Sequence, residues 1–160
     1  METETLVLNY GKVLNDPNER LSNRFRALFS LKNLAETSDN AIIEMGKSFC
    51  DSSELLKHEL AYCLGQTKNK QALEILRSVL NDNKQEPVVR HEAAEAIGAI
   101  GPADLEEYLK KMEQEDKDIE VRETAHLAYE RIKYLREHGD SVVWENAFGS
   151  GKESFIIFYI

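Results

Sequence analysis

The sequence contains few of the residues that interrupt or cross-link a polypeptide chain. Its 160 residues include only three prolines, eight glycines and two cysteines. Scarce proline and glycine favour helices, and two cysteines cannot supply the disulfide framework of a small secreted domain. We therefore expect a helical protein in which Cys50 and Cys63 are reduced and lie at apolar positions of the core.

Long apolar runs and an excess of positive charge are also missing. No apolar stretch approaches the roughly 20 residues that a membrane-spanning helix needs, and the net charge is −9. That charge argues against nucleic acid and anionic membranes as partners. The first residues show no basic segment followed by an apolar stretch, so we expect no targeting signal and a cytoplasmic location.

An internal repeat of about 33 residues is the clearest pattern that is present. A basic residue opens each of the segments RFRALFSL, KHELAYCLG, RHEAAEAIG and RETAHLAYE, and each follows a more polar, helix-like stretch. Repeated helical hairpins of this length stack into solenoids. We predict an all-α, right-handed HEAT-like superhelix of about four hairpins over residues 1–138. The basic residues, spaced by 33, 33 and 32 positions, are Arg24, Lys57, Arg90 and Arg122.

Helical periodicity gives the expected elements. Val89, Ala93 and Ile97 recur every four residues and form one apolar stripe. Small residues such as Ala93 and Ala94 should allow close helix packing, and we interpret three glycines, Gly65, Gly98 and Gly101, as helix ends. The predicted helices cover residues 3–14, 19–35, 39–50, 53–65, 69–81, 87–100, 103–115 and 118–137.

The last 22 residues, 139–160, have a different character. They show no repeat period, and they contain a linker-like GSGKES segment followed by the apolar run FIIFYI. We interpret them as a flexible tail without a role in the solenoid.

A duplicated His-Glu dipeptide is the strongest candidate for a functional site. His58-Glu59 and His91-Glu92 lie 33 residues apart at the same register of adjacent repeats. Stacked helices lie about 8–10 Å apart, so equivalent side chains can converge on one metal ion. Without a thiolate, structural zinc is disfavoured, whereas two histidines with a carboxylate suit non-haem iron and carboxylate-rich helical sites hold di-iron pairs. Spacing alone leaves open that the pairs are surface residues inherited by duplication.

The residues around these pairs refine the hypothesis. The outer repeats carry Phe25-Arg26 and Glu123-Thr124 at the same register, which confines the His-Glu pairs to the central repeats. We interpret Glu95, one turn beyond His91, as a solvated glutamate, with a role behind the ligands as the alternative. The corresponding Tyr62 is expected to pack against the core. The remaining histidines, expected at the surface, are His126 and His138.

Three segments carry a family resemblance. RFRALFSLKNL, HELAYCLGQ and QEPVVRHEAAEAIGAIG closely resemble the first half of deoxyhypusine hydroxylase, and the likeness runs from about residue 8 to residue 138. The resemblance implies a HEAT-repeat enzyme whose two four-repeat halves enclose a di-iron centre. It also implies an oxygen-dependent hydroxylation of the deoxyhypusine side chain of translation initiation factor 5A, which completes hypusine formation.

The same resemblance implies roles for the four residues of the His-Glu pairs. His58, His91 and Glu92 would bind ferrous iron directly, and Glu59 would be a further ligand or would lie beside the cationic amine of the substrate. A homodimer or a second enzyme half would have to complete the di-iron site. Whether the chain is an enzyme therefore stays open. The alternative function is a non-catalytic HEAT-repeat interaction module derived from such an enzyme.

Overall fold

The computed structural model describes residues 2–139, and every regular element in that range is helical. The predicted tail therefore lies almost wholly outside the described residues. All eight predicted helices are present. The helix predicted at 39–50 is shortened by the 3₁₀ turn Lys47–Cys50, and those predicted at 69–81 and 103–115 each begin three residues later, the second of them after the 3₁₀ turn Ala103–Leu105. The helices are α1 (Glu2–Leu14), α2 (Leu21–Leu34), α3 (Asp39–Gly46), α4 (Glu54–Gln66), α5 (Ala72–Asn81), α6 (Pro87–Ile100), α7 (Glu106–Glu115) and α8 (Ile119–His138).

The helices form four hairpins that stack in two layers. The odd-numbered helices make one layer and the even-numbered helices make the other, in which α4 contacts α6 and α6 contacts α8 over most of their lengths. The contact between α1 and α3 is similar to that between α2 and α4, whereas α3 and α5 contact each other much less than α4 and α6 do. From α3 onward, packing between hairpins is therefore concentrated in the even layer. The predicted right-handed HEAT-like superhelix is confirmed.

One continuous apolar core fills the space between the layers. Val89, Ala93 and Ile97, the stripe identified in the sequence, are completely buried, and Ala94 is buried beside them. The predicted rotation of α6 is therefore confirmed. Burial of the whole core between the two layers is the main favourable contribution to folding, because each fully buried valine, leucine or isoleucine side chain contributes about 1.5–3 kcal/mol.

Two of the three glycines interpreted as helix ends have a different purpose. Gly65 and Gly98 lie inside α4 and α6, where an added Cβ would approach the backbone of Ala96 within 2.8 Å and that of Ala128 within 2.9 Å. They allow neighbouring even helices to touch, so the interpretation as terminators was wrong for them. Gly101 does end α6, with a φ of 73° and its N–H bonded to the carbonyl of Ile97.

The repeated basic residues also proved to be more than sequence markers. Arg90, only 1% exposed, donates to the carbonyl of Leu80 at the end of α5 and, at 2.7 Å, to Asp118 in the loop between α7 and α8. Arg122 instead donates to the carbonyl of Asp116 at 2.8 Å. Each of the first three basic residues thus ties its hairpin to the acidic loop of the following hairpin. The ion pairs are Arg24–Asp51, Lys57–Glu86 and Arg90–Asp116.

The cysteines behave differently from each other. Cys63 is buried in the core as predicted, and burial raises the pKa of its thiol to about 12, so it is protonated and unreactive. Cys50 is exposed, and the prediction that it lies in the core was wrong. It ends the 3₁₀ turn that follows α3, so the helical periodicity assumed for it does not apply. No helix among residues 2–139 is long and apolar enough to cross a membrane.

Candidate metal centre

The two His-Glu pairs lie on α4 and α6, which are neighbours in the even layer. The Ser53 side chain accepts a hydrogen bond from the N–H of Leu56 and so caps α4. Pro87 occupies the first turn of α6, where a backbone N–H would have no partner within the helix, so proline is well tolerated there. Each pair therefore sits in the second turn of a firmly started helix. Because the repeats are stacked in register, the pairs face each other across the α4–α6 contact.

The geometry brings three of the four predicted residues together. The Nε2 atom of His58 lies 3.0 Å from a carboxylate oxygen of Glu92, and the imidazole rings of His58 and His91 are 6.0 Å apart between centroids. One donor atom from each of these three residues lies within 4.8 Å of the other two. Glu59 stands at the margin, with a carboxylate oxygen 3.9 Å from the Nδ1 atom of His58.

Two imidazoles and a carboxylate are a plausible donor set for a transition metal. Metal–nitrogen and metal–oxygen bonds are about 2.0–2.2 Å long, so donors on opposite sides of an ion are about 4 Å apart. The spread of up to 4.8 Å in this group needs only small side-chain rotations to reach that separation. Nitrogen and oxygen donors without thiolate suit iron, manganese or zinc.

Burial shapes the protonation of the group. Glu92 is only 6% exposed, and loss of hydration, helped by the nearby negative charges of Glu95 and Glu59, raises its pKa to about 8. Burial and the neighbouring His58 lower the pKa of His91. At neutral pH the buried carboxyl is therefore mostly protonated and His91 is mostly neutral. Ionisation of Glu92 would leave a buried negative charge, which a bound metal ion would balance.

Two further glutamates border this group. Glu95 is only partly exposed, and burial raises its pKa, with an opposing effect from His58. Glu95 is thus neither fully solvated nor buried, and its alternative role behind the ligands stays a prediction. Glu120, from α8, lies close enough to His91 to favour its charged form. Sequence reasoning missed Glu120 because it belongs to the next repeat, and only the stacking of α8 on α6 brings it near.

The other side chains considered in the sequence have structural or surface positions. Tyr62 packs against the core, and its hydroxyl accepts a hydrogen bond from Gln66 at 2.7 Å. His126 is exposed and pairs with Glu113 at 2.9 Å, and His138 is exposed at the end of α8. These three predictions are confirmed, and none of the three residues joins the His58 group.

Comparison with known proteins agrees with the repeat architecture. The family model described as HEAT repeats matches residues 41–130, more than half of the chain. The chain belongs to the HEAT-repeat family. Within that family, the sequence of this HEAT-repeat protein is 51% identical over 144 residues to deoxyhypusine hydroxylase from Drosophila pseudoobscura pseudoobscura and 49% identical over 139 residues to the human protein of that name.

A solved structure shows the same likeness. The structure of human deoxyhypusine hydroxylase in complex with glycerol matches with a TM-score of 0.83 and 49% sequence identity, covering 87% of this chain. The resemblance inferred from the sequence is thereby confirmed. The alignments cover 88% and 87% of this HEAT-repeat chain but only 45% of the Drosophila and human proteins, and 47% of the solved chain. The chain thus spans about half the length of the relatives that it matches.

Proposed function

We propose that this chain provides one half of the metal site of a deoxyhypusine hydroxylase-like iron protein. The observation that carries the proposal is the convergence of His58, His91 and Glu92 from equivalent positions of two adjacent repeats. The sequence identity of about 50% to deoxyhypusine hydroxylases, over about half their length, points to the same chemistry. The site would act in the cytoplasm, on the deoxyhypusine side chain of translation initiation factor 5A.

Each residue has a role that follows from its surroundings. His58 and His91 would donate ring nitrogens, and Glu92 would bind through its carboxylate after losing a proton to solvent. Ferrous iron in such a ligand set supplies the activation of dioxygen for hydroxylation of a carbon atom. Glu59 and Glu95 would leave negative charge beside the ion, which suits a substrate whose side chain carries ammonium groups.

The proposal places Glu59 beside the substrate rather than on the metal. Its carboxylate is 3.9 Å from the side of His58 that faces away from Glu92, and it does not belong to the group of three converging donors. A negative charge there can still hold the Nδ1–H of His58 and orient the ring. A second half, from another chain or a second copy, would supply the opposing ligands of a di-iron centre.

Metal titration of the purified chain tests this function. Anaerobic titration with Fe²⁺, or with Co²⁺ as a spectroscopic substitute, should show a site that His91→Ala abolishes and Glu92→Ala strongly weakens. Glu107→Gln is the matched control, because Glu107 is an exposed glutamate on α7, in the opposite layer. It should bind like wild type.

Two results would count against the proposal. Equal binding by wild type and His91→Ala would place the metal elsewhere. A chain that binds no metal at all but retains its fold would instead support the non-catalytic interaction module.

A further inference from the structure

A pair of aromatic rings lies on α2, on the same face of the even layer as the His58 group. Phe29 is 42% exposed, and its ring centroid is 6.3 Å from that of Phe25, which is partly buried against the core. Phenylalanine is among the residues most often buried, so an open ring at this position needs a physical reason. The two rings are called the aromatic wall below.

Two hydrogen bonds place the aromatic wall beside the His58 group. Lys32, near the end of α2, donates to the side chain of Gln66 at 3.2 Å, and Gln66 donates to the hydroxyl of Tyr62 at 2.7 Å. The bond between α2 and α4 shows that these parallel helices are in register on this face. Phe29, one turn before Lys32, therefore stands beside Tyr62, and the other ring of the wall has the register of His58. The wall is thus about one helix spacing, 8–10 Å, from the helix that carries His58.

The charges on this face differ from one helix to the next. Arg26 and Lys32 lie one turn to either side of Phe29 on α2, whereas Glu59 and Glu95 lie on α4 and α6. An ammonium group is therefore attracted toward α4 and α6 and repelled from the aromatic wall. The group that suits the wall itself is uncharged and apolar.

We propose that the aromatic wall binds the methylene groups of a lysine-derived side chain whose ammonium group lies beside Glu59 and Glu95. The inference rests on the proposed function for its substrate, because the deoxyhypusine side chain joins its amino groups through runs of methylene groups. Such a side chain is apolar between its charges, which matches rings on one helix and carboxylates on the next two. The wall would hold the chain beside the His58 group and select for its length.

Selectivity for chain length tests the inference. Two fluorescent peptides, each with one lysine whose side-chain nitrogen carries an aminobutyl or an aminoethyl group, are titrated with the protein and followed by anisotropy. Wild type should bind the aminobutyl peptide about tenfold more tightly, because two further methylene groups are buried. Phe29→Ala should lose most of this difference, whereas Phe29→Tyr, which keeps the ring, should retain it.

Ile43→Ala is the matched control, since Ile43 is 50% exposed but lies on α3 in the opposite layer. It should select between the peptides like wild type. All three variants should keep the helical circular dichroism and the Co²⁺ affinity of wild type, because neither position supplies a proposed ligand.

The inference is wrong if wild type binds neither peptide, if Phe29→Ala keeps the full preference, or if Ile43→Ala loses it equally. Equal affinity for both peptides in a wild type that binds Co²⁺ through His91 would reject the aromatic wall and retain the iron site. A preference that depends on Phe29 in a protein that binds no metal would instead reject the iron site and retain the wall.

Discussion

Identical dipeptides acquire different properties at the residue scale because their neighbours differ. The side chain of Glu59 is 27% exposed, whereas that of Glu92 is 8% exposed. Helix α6 is closely flanked by both α4 and α8, while α4 contacts α2 less extensively. Desolvation therefore falls mainly on Glu92, which becomes a carboxyl that holds its proton at neutral pH until a cation arrives.

The raised pKa of Glu92 predicts that metal binding releases a proton. The metal-free carboxyl, with a pKa of about 8, must ionise to become a ligand. Affinity for Co²⁺ should therefore rise about tenfold for each pH unit below that pKa and level off above it. His91, whose pKa is lowered, adds little competition from protons near neutral pH.

Calorimetric titration at pH 7 in buffers of different ionisation enthalpy measures this proton. The wild type and the Glu107→Gln control should each release close to one proton from Glu92. Glu92→Gln should bind weakly and lose that component. A wild-type affinity that does not change between pH 6 and pH 8 would contradict the assignment.

The sequence predicted which residues converge but not how they divide their roles. His58 and His91 are separated by one repeat length, and stacked repeats preserve register, so the sequence was sufficient to place the two histidines face to face. The separation of Glu92 from Glu59, and the approach of Glu120, depend on which helices flank α4 and α6. Those contacts form between repeats, so the residue pattern within one repeat does not predict them.

At the scale of the helix, close packing in the even layer depends on two small residues. Gly65 faces Ala96, and Gly98 faces Ala128, at distances that leave no room for a Cβ. The contact aligns α4, α6 and α8, and hence sets the distance between the histidines. Periodicity marked these glycines as possible helix ends, since a glycine near an apolar stripe looks the same whether it ends a helix or admits a neighbour.

Gly98→Ala should destabilise the fold although alanine is the better helix former. The new Cβ would lie 2.7 Å from the Cβ of Ala128 and 2.9 Å from its Cα, so the backbones must separate. Overpacking of this kind costs about 1–3 kcal/mol. Replacing glycine by alanine inside a helix gains about 1 kcal/mol in helix propensity, so the expected net loss of unfolding free energy is up to about 2 kcal/mol. Thermal and urea unfolding measure the change.

Gly46→Ala is the control for that substitution. Its Cβ would meet the terminal Cδ1 atom of Ile75, which can rotate away. We expect Gly46→Ala to be neutral or stabilising. The double variant Gly98→Ala with Ala128→Gly should recover part of the loss, because it removes the nearer of the two contacts. Equal stability of Gly98→Ala and wild type would show that α6 and α8 are free to separate.

At the scale of the whole molecule, the fold was predictable because it repeats. Four similar segments at a spacing of 32 or 33 residues specify hairpins, and hairpins of this length stack in one way. The buried ion pairs, such as Arg90–Asp116, were visible only as evenly spaced basic residues. Their acidic partners lie in loops, and loops lack the helical periodicity from which the positions of side chains were predicted.

The last prediction is that hydroxylation of deoxyhypusine requires two half-sites brought together. One chain offers two histidines and one buried carboxylate. Water at such a half-site would compete with substrate and quench reactive oxygen chemistry, and positioning of the substrate against an opposite wall would be lost. A second half, from another chain or a second copy, would restore that wall. An iron- and oxygen-dependent assay on deoxyhypusine-bearing initiation factor 5A should therefore show turnover for wild type only in fractions that hold more than one chain. His91→Ala, which lacks a proposed ligand, should give only background in every fraction. Clear turnover by a species that light scattering shows to be monomeric would mean that these three ligands and solvent suffice, and that the second copy has no part in the reaction.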